Sequence, residues 1–353
     1  MTRKEVFKLS NYFEELPEKI NKYFHILSDE IPDFIEEYIN APEMQRLKGI
    51  GIACGVNFSK LRPNVMFYSR FEHSIGVALI VWHFTKDKKQ ALAGLFHDIA
   101  NPAFSHCIDF LNGDYETQES TEELTTKIIS DSTYIISLLN RDGIKLEEVN
   151  DYKLYPIADN NIPMISADRL EYSFSNGFSL EDVWEDGEIE KIYSNLTILK
   201  NEKGKIELGF QDLEIAELFI NKIKGLWIDY VEDRFIMEII VHIVKKLNEK
   251  NLIKVEDLYR LSEFEVIDIA KKSNILEVQK LVQNMANAKD LYESDTQVDG
   301  KYCIKCKAKY RYIDPLLLYG NSTVRLTEVS QTAKKAKEKL FNIDFSKYLY
   351  SNF

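Results

Sequence analysis

Residues 70–77 read Arg70-Phe-Glu-His73-Ser-Ile-Gly-Val, and an apolar run continues from there to residue 84. Wound as a helix, this run is apolar nearly all round, which is typical of a helix at the centre of a domain. His73 therefore enters the core at the start of a central helix. A buried imidazole needs a partner, and a metal ion would serve.

Two further blocks supply groups of the same kind: Leu-Phe-His97-Asp98-Ile, and the distant Ala-Asp168-Arg-Leu-Glu-Tyr. Apolar residues recur at three- and four-residue steps over residues 91–99, so we predict a helix that carries His97 and Asp98 near its end. Two imidazoles and two carboxylates can hold one divalent cation and leave positions open for water and substrate. We predict His73, His97, Asp98 and Asp168 as metal ligands. The alternative is four core polar residues that satisfy one another.

The chain has 353 residues and 45% apolar content, so it can bury a large core. Helical periodicity dominates: residues 215–247 predict one or two long helices with a break at Gly225, whereas residues 196–208 predict a hairpin that turns at Gly204. We therefore predict a mainly α fold with minor β-hairpin elements. Its expected parts are an N-terminal helical segment (1–40), a metal-bearing helical core (41–180) and a helical extension with small β elements packed on that core (181–353).

The net charge of −12 argues against broad association with nucleic acid, because binding to a phosphate backbone draws on clustered Lys and Arg. A phosphate substrate would instead need a local positive pocket. The longest apolar run, residues 75–84, is too short to span a bilayer, and the amino terminus lacks the apolar core of a signal peptide. We expect a cytoplasmic protein that binds neither membranes nor nucleic acid.

Ordered blocks over most of the chain resemble the HD-domain metal-dependent phosphohydrolases, in particular the deoxynucleoside triphosphate triphosphohydrolases. Besides the blocks quoted above, the likeness includes Met-Gln-Arg46-Leu-Lys-Gly-Ile, residues 97–106 and Lys-Tyr-Arg311-Tyr-Ile-Asp-Pro. The resemblance implies an HD-domain helical core that binds one divalent metal ion and a small phosphate substrate, with a nucleotide as the expected class. It also implies an assembly of two or more copies.

Three residues are expected to contact the phosphates. Arg70 lies three residues before His73, so both can face one cavity, and its planar guanidinium can clamp phosphate oxygens. In the resembled family, the positions that match Arg169 and Tyr172 contact the substrate's phosphates. A structural salt bridge is the alternative for either arginine, because such pairs are common.

His106 matches a catalytic histidine of the resembled family, and Asp109 matches the carboxylate near it. An imidazole with an ordinary pKa of about 6.5 is suited to proton transfer, and a carboxylate would orient its ring. Glu119 is a further candidate for a carboxylate that takes part in this proton transfer. Asn101 and Gln118 stand where the family usually has histidines, so two potential proton carriers are missing.

Two other departures concern the substrate. Asn176, which we predict to lie in the substrate site, and Ile52 stand where the family has an aspartate and a glutamine that read the sugar hydroxyl. A site that hydrogen-bonds its substrate discriminates through buried polar groups. Their loss therefore favours a different substrate.

Three functions remain open on these grounds. The first is hydrolysis of a deoxynucleoside triphosphate to deoxynucleoside and triphosphate, and the second is a phosphomonoesterase or phosphodiesterase acting on another nucleotide or phosphate ester. The third is a metal-stabilised regulatory or binding protein without turnover. The identity of the metal also remains open, because a site of two histidines and two aspartates can bind manganese, iron, nickel, zinc or magnesium.

Overall fold

A computed structural model describes residues 12–62, 66–111, 124–180, 182–226, 230–305, 312–344 and 346–352, with the backbone alone at 109–110 and 230–232. Helices dominate these residues, so the prediction of a mainly α fold is confirmed. Of the helices in these ranges, none combines the length and apolarity needed to cross a bilayer.

The helices form two groups along the chain. Those of the first half are α1 (Glu18–Leu27), α2 (Asp33–Ile39), α3 (Pro42–Gln45), α4 (Arg70–Thr85), α5 (Lys88–Phe96), α6 (Cys107–Leu111), α7 (Thr125–Asp131), α8 (Thr133–Asp142) and α9 (Ala167–Ser179). Those of the second half are α10 (Glu188–Ser194), α11 (Leu213–Ile223), α12 (Tyr230–Glu249), α13 (Glu263–Lys272), α14 (Leu276–Asn287), α15 (Leu326–Val329) and α16 (Gln331–Phe341).

The central helix is α4, and its sequence explains both its start and its burial. Ser69 accepts hydrogen bonds from the first turn, while the Glu72 side chain accepts one of 3.0 Å from the Ser69 backbone, which is a capping box. Apart from Glu72, residues 70–81 are all buried. Helices α1, α5 and α9 pack against α4, as the apolar pattern predicts.

The prediction for residues 91–99 is wrong at its carboxy-terminal end. Helix α5 ends at Phe96. His97 is its C-cap and begins the turn that follows, and Asp98 lies within that turn. Arg46 holds this turn, because its Nη2 donates to two backbone carbonyls there at 3.2 and 2.6 Å. Apolar periodicity carries no signal for such a tertiary bond.

The strands are β1 (Leu196–Lys200), β2 (Ile206–Phe210), β3 (Tyr292–Ser294), β4 (Cys303–Ile304), β5 (Leu316–Tyr319), β6 (Ser322–Arg325) and β7 (Tyr348–Tyr350). Strands β1 and β2 form the hairpin predicted at residues 196–208, with Gly204 at φ 72° in the turn. One sheet has the order β1-β2-β5-β6 and is parallel only between β2 and β5. In the other, β7 lies between β3 and β4.

Apolar side chains are buried in two clusters. The larger cluster includes residues of α1, α4, α5, α9, α11 and α16. The second cluster lies around α12, α13 and α14 and is completed by Val56, Phe104 and Cys107 from the first half of the chain. The break predicted at Gly225 falls between α11 and α12, so it separates helices that belong to different clusters.

Candidate metal centre

Two histidines converge from the first turn of α4 and the end of α5. The Nε2 atoms of His73 and His97 are 3.2 Å apart. The outer nitrogen of each ring has its own acceptor: Nδ1 of His97 lies 2.7 Å from the carbonyl of Gly94, and Nδ1 of His73 bonds the Glu171 carboxylate. Both rings therefore turn Nε2 toward the same point.

Asp168 reaches this point from the first turn of α9. Ser166 is the N-cap of that helix, and its side chain accepts a hydrogen bond from the backbone of Arg169. Asp168 Oδ1 lies 3.1 Å from Nε2 of His73 and 3.8 Å from Nε2 of His97. The three donor atoms all lie within 4.8 Å of one another.

Asp98 lies beside this group, in the turn after α5. Its Oδ2 is 3.4 Å from Nε2 of His97 and 3.8 Å from Nε2 of His73. The same oxygen accepts a 2.8 Å hydrogen bond from Arg70, and Oδ1 accepts one of 2.5 Å from the side-chain amide of Asn101. The four predicted ligands are thus adjacent, and both carboxylate oxygens of Asp98 accept hydrogen bonds from other side chains.

This donor set fits a divalent cation. Atoms that bind one ion at about 2.1 Å from perpendicular directions lie about 3 Å apart, which is close to the separations of the imidazole and carboxylate donors. Burial opposes ionisation of Asp98, but Arg70 and the two imidazoles lower its pKa to about 2. Burial likewise opposes ionisation of Asp168, but the hydrogen bond from His73 and the charges of His97, His73 and Arg169 together lower its pKa. Both aspartates are therefore anionic at neutral pH.

His73 is fully buried among these carboxylates. Burial lowers the pKa of its imidazole, but the charge of Glu171 and the hydrogen bonds to the surrounding carboxylates raise it to about 10. The concentration of negative charge around this ring favours a cation.

Arg70 is a buried cationic side chain that contacts the candidate ligand Asp98. It is 5% exposed, and its Nε donates to the hydroxyl of Ser105 at 3.1 Å while Nη1 bonds Asp98. Within the described residues, Nη2 makes no hydrogen bond. The guanidinium is therefore anchored on one side and has a donor left for a ligand on the other.

His106 directly follows Ser105 and is half-buried, so its backbone lies beside Arg70. Phe104 and Ser105 both have positive φ, 65° and 47°, an uncommon conformation for residues with side chains and one often found at functional sites. The side chain of Asp109 and the whole of Gln118 and Glu119 lie outside the described residues.

Arg169 has other partners than the candidate metal ligands. Its Nε donates to the carbonyl of Met164 at 2.9 Å, Nη1 lies 3.3 Å from Asp159, and Nη2 bonds Asn160. These contacts match the structural alternative, since they hold the segment that leads into α9. A phosphate contact by Arg169 would require them to be exchanged.

The remaining substrate-binding candidates lie farther along α9. The ring of Tyr172 is edge-on to His73 with 6.4 Å between centroids, so it borders the ligand cluster. Asn176 is buried two turns beyond Asp168, about 12 Å along the helix axis. In the described part of the chain its Oδ1 accepts no hydrogen bond. Ile52 is buried in the larger apolar cluster.

No role was predicted for Glu171 or Arg46 from the sequence, although both lie in the blocks quoted above. Glu171 follows Asp168 by three residues, so the two carboxylates share one helix face. That spacing was the available signal for Glu171. Arg46 holds the turn of His97 and Asp98 from more than fifty residues away, and local sequence carries no signal for that contact.

Residues 70–151 match the HD domain family. The HD-domain part of the resemblance is therefore confirmed for these residues. The match begins at Arg70 and includes His73, His97 and Asp98, whereas Asp168 lies beyond it.

Two relatives align with most of the chain. It is 28% identical over 317 residues to the uncharacterized protein YdhJ of Bacillus subtilis, covering 88% of this chain and 92% of the relative. It is 24% identical over 291 residues to the metal-dependent phosphohydrolase cns2 of Cordyceps militaris, covering 79% of each. The likeness thus extends well outside the HD domain.

Two solved structures share the architecture. A hypothetical protein from Aquifex aeolicus superposes with a TM-score of 0.61 at 17% identity, covering 89% of this chain and 91% of that one. A phosphohydrolase from Bacteroides thetaiotaomicron superposes with a TM-score of 0.62 at 14% identity, covering 92% and 97%. At these identities the likeness concerns the fold.

Proposed function

We propose that this protein is an HD-type metal-dependent phosphohydrolase that uses one divalent ion and acts on a small phosphate ester. The observation that carries the proposal is the convergence of His73 Nε2, His97 Nε2 and Asp168 Oδ1 beside the anchored guanidinium of Arg70. A purely structural ion needs no cationic clamp next to it. The relative cns2 is a metal-dependent phosphohydrolase by name, which supports the same class.

The metal would be held by His73, His97, Asp168 and Asp98. When bound, a divalent ion supplies Lewis acidity, which polarises a phosphoryl oxygen and makes a water molecule more acidic. Arg70 would donate from Nη2 to a phosphate oxygen while Nη1 stays on Asp98. Its contribution is positioning and charge stabilisation, because phosphoryl transfer asks little covalent chemistry of a protein.

His106 is the proposed proton carrier, with Asp109 or Glu119 as its carboxylate partner. Its position directly after Ser105, the partner of Arg70, supports this assignment. An imidazole there can give a proton to the leaving group or take one from the nucleophile.

The substrate that we propose first is a deoxynucleoside triphosphate, cleaved to deoxynucleoside and triphosphate. The support is the order of motifs, from the block around Arg46 to that around Asp168, which resembles the triphosphohydrolases. Tyr172, which borders the ligands, supplies an aromatic surface for an organic group.

A phosphomonoesterase or phosphodiesterase is the second candidate, and specific side chains favour it. Ile52 is 2% exposed and apolar, so its side chain cannot bind a sugar hydroxyl. Asn101, in place of a family histidine, is bonded to Asp98 and cannot carry a proton. Both features weaken recognition and catalysis of the triphosphohydrolase type.

The deciding experiment is product analysis after the manganese-loaded protein is incubated with deoxynucleotides, ribonucleotides and simple phosphate esters. Asp98→Ala is the control for metal dependence. Release of triphosphate and nucleoside, absent in the control, is the expected result. Release of phosphate alone would establish the second candidate, whereas bound metal without turnover on any substrate would favour a regulatory protein.

A further inference from the structure

Glu171 is a buried carboxylate with four hydrogen-bond donors around it. It lies in the second turn of α9 and is 0% exposed. Tyr23 and Tyr68 donate to its Oε1 at 3.1 and 2.7 Å, Ser175 donates to its Oε2 at 3.1 Å, and His73 bonds the same Oε2 through Nδ1. A buried carboxylate without hydrogen-bond partners is costly, and these bonds satisfy both oxygens of Glu171 inside the core.

The bond to Nδ1 determines how His73 is turned. When Glu171 accepts the Nδ1 proton, the ring must direct Nε2 to the other side, where Asp168 Oδ1 lies 3.1 Å away. A neutral imidazole protonated at Nδ1 has its lone pair on Nε2. In the neutral ring that binding of an ion requires, the contact therefore selects the tautomer in which the nitrogen facing the candidate metal ligands is the one able to bind the ion.

The second histidine is held by a weaker acceptor. His97 Nδ1 bonds a backbone carbonyl, whereas His73 Nδ1 bonds a carboxylate. A carboxylate behind a metal-binding histidine both orients the ring and makes it a more basic ligand. The outer acceptor should therefore influence the orientation and basicity of the ring more strongly at His73 than at His97.

Gly76 has no side chain, and this leaves the space that the Glu171 side chain occupies. On α4, one turn after His73, a Cβ at Gly76 would lie 2.7 Å from Cγ and 2.8 Å from Oε1 of Glu171. Any side chain there would push the carboxylate away from its present position. The glycine is unfavourable inside a helix, so the packing gives it a reason to be present.

We infer that Glu171 is a positioning residue that fixes the tautomer and orientation of His73 and thereby strengthens binding of the divalent ion. This inference rests on the metal-dependent function proposed above. Glu171 does not face the substrate, and it acts only through His73.

The test is the affinity of the full chain for manganese, measured by titration calorimetry after treatment with a chelator. Glu171→Gln should weaken binding by about 10- to 100-fold. The matched control is Glu207→Gln, because Glu207 is also 0% exposed and fully hydrogen-bonded, to Arg325 and Asn201, but touches no candidate ligand. Glu207→Gln should lower thermal stability and leave manganese affinity unchanged.

Two measurements keep the inference testable if Glu171→Gln does not fold. Gly76→Ala leaves every ligand in place but displaces Glu171, so it should also weaken manganese binding. In the unchanged protein loaded with diamagnetic zinc, nitrogen NMR of His73 should show the proton on Nδ1.

The outcomes separate this inference from the proposed function. Wild-type manganese affinity in a folded Glu171→Gln variant, or an Nε2-protonated His73, would overturn the role of Glu171 whatever the turnover. Tight binding that falls in Glu171→Gln, without hydrolysis of any phosphate ester, would refute the enzyme and leave the role of Glu171 intact. A wild-type chain that binds no divalent ion would overturn both.

Discussion

Arg70 Nη1 lies 2.8 Å from Asp98 Oδ2, so the residue proposed to bind phosphate also holds a candidate metal ligand. Both side chains are largely buried, at 7% and 12% exposed. Burial makes breaking such a pair expensive, since one charge would be left uncompensated. The proposed binding of metal and the proposed binding of phosphate would therefore be coupled through one carboxylate.

Arg70→Lys should lower kcat/KM by about 100-fold or more. An ammonium can still face Asp98, but it lacks the planar fork that bonds Asp98, Ser105 and a phosphate oxygen together. Steady-state kinetics on the identified substrate, with metal content measured in parallel, would check this. Ser105→Ala is the matched control, because it removes the Nε contact alone and should have a much smaller effect. Kinetics for Arg70→Lys near those of the unchanged protein would argue against the clamp.

His106→Ala should reduce kcat by about 100- to 10,000-fold and leave metal content unchanged. The reason is that His106 is proposed to move a proton and is not among the converging ligands. His25→Ala is the control, since His25 is exposed on α1. The pH profile of kcat should lose one limb in the His106 variant only. An unaffected rate would refute the assignment of His106.

Glu263 should make the protein less stable as pH rises from about 5 to 8. It is fully buried, and within the described residues neither carboxylate oxygen accepts a hydrogen bond of good geometry. Burial raises the pKa of Glu263 from 4.5 to about 8, and this effect exceeds the lowering of the pKa by the nearby backbone N–H groups of Gly51 and Phe104. Because the folded state favours the neutral acid, its contribution is full below pH 4.5 and is lost as pH rises to about 8, at up to about 1.4 kcal/mol per pH unit.

Urea unfolding between pH 5 and 9 would measure this loss. Glu263→Gln keeps the shape without the charge, so its stability should exceed that of the unchanged protein by a margin that grows with pH. The exposed neighbour Glu265 has a lowered pKa, and Glu265→Gln should show no such trend above pH 5. Parallel curves for Glu263→Gln and the unchanged protein would exclude the effect.

Asp142 should contribute stability that disappears in acid. Its carboxylate accepts hydrogen bonds of 3.0 Å from Tyr38 and 2.5 Å from Lys88. Partial burial is outweighed by bonds from Arg141, Lys88 and Tyr38, which lower the pKa of Asp142 from 3.8 to about 2. A lowered pKa means that the contribution is complete above pH 4 and is lost as pH falls toward 2.

Asp142→Asn should therefore cost about 1–3 kcal/mol at pH 7, and the difference from the unchanged protein should shrink between pH 5 and 3. Chemical unfolding at three pH values would follow it. Asp131→Asn is the control, because Asp131 forms an exposed pair with Lys127 and should change stability little. A constant difference down to pH 3 would be inconsistent with this account of Asp142.

Much of the fold could be predicted because its signals are local. The all-round apolar run predicted α4 as a central helix, alternation around Gly204 predicted the hairpin of β1 and β2, and Gly225 predicted the break before α12. Side-chain periodicity and turn residues act over a few positions, so they can be read without knowledge of packing. The end of α5 was misplaced because Arg46, which holds the following turn, is distant in sequence.

The sequence by itself determined the helical class, the HD motif and the candidate ligands His73, His97, Asp98 and Asp168, because each belongs to a short block with recognisable neighbours. Only the tertiary structure decided which partners these blocks have. It placed Glu171 behind His73, paired Arg70 with Asp98 and engaged Arg169 with residues 159–164. The physical reason is that a charged side chain binds whichever buried partner the packing of distant elements brings within about 3 Å, and that choice leaves no periodic trace along the chain.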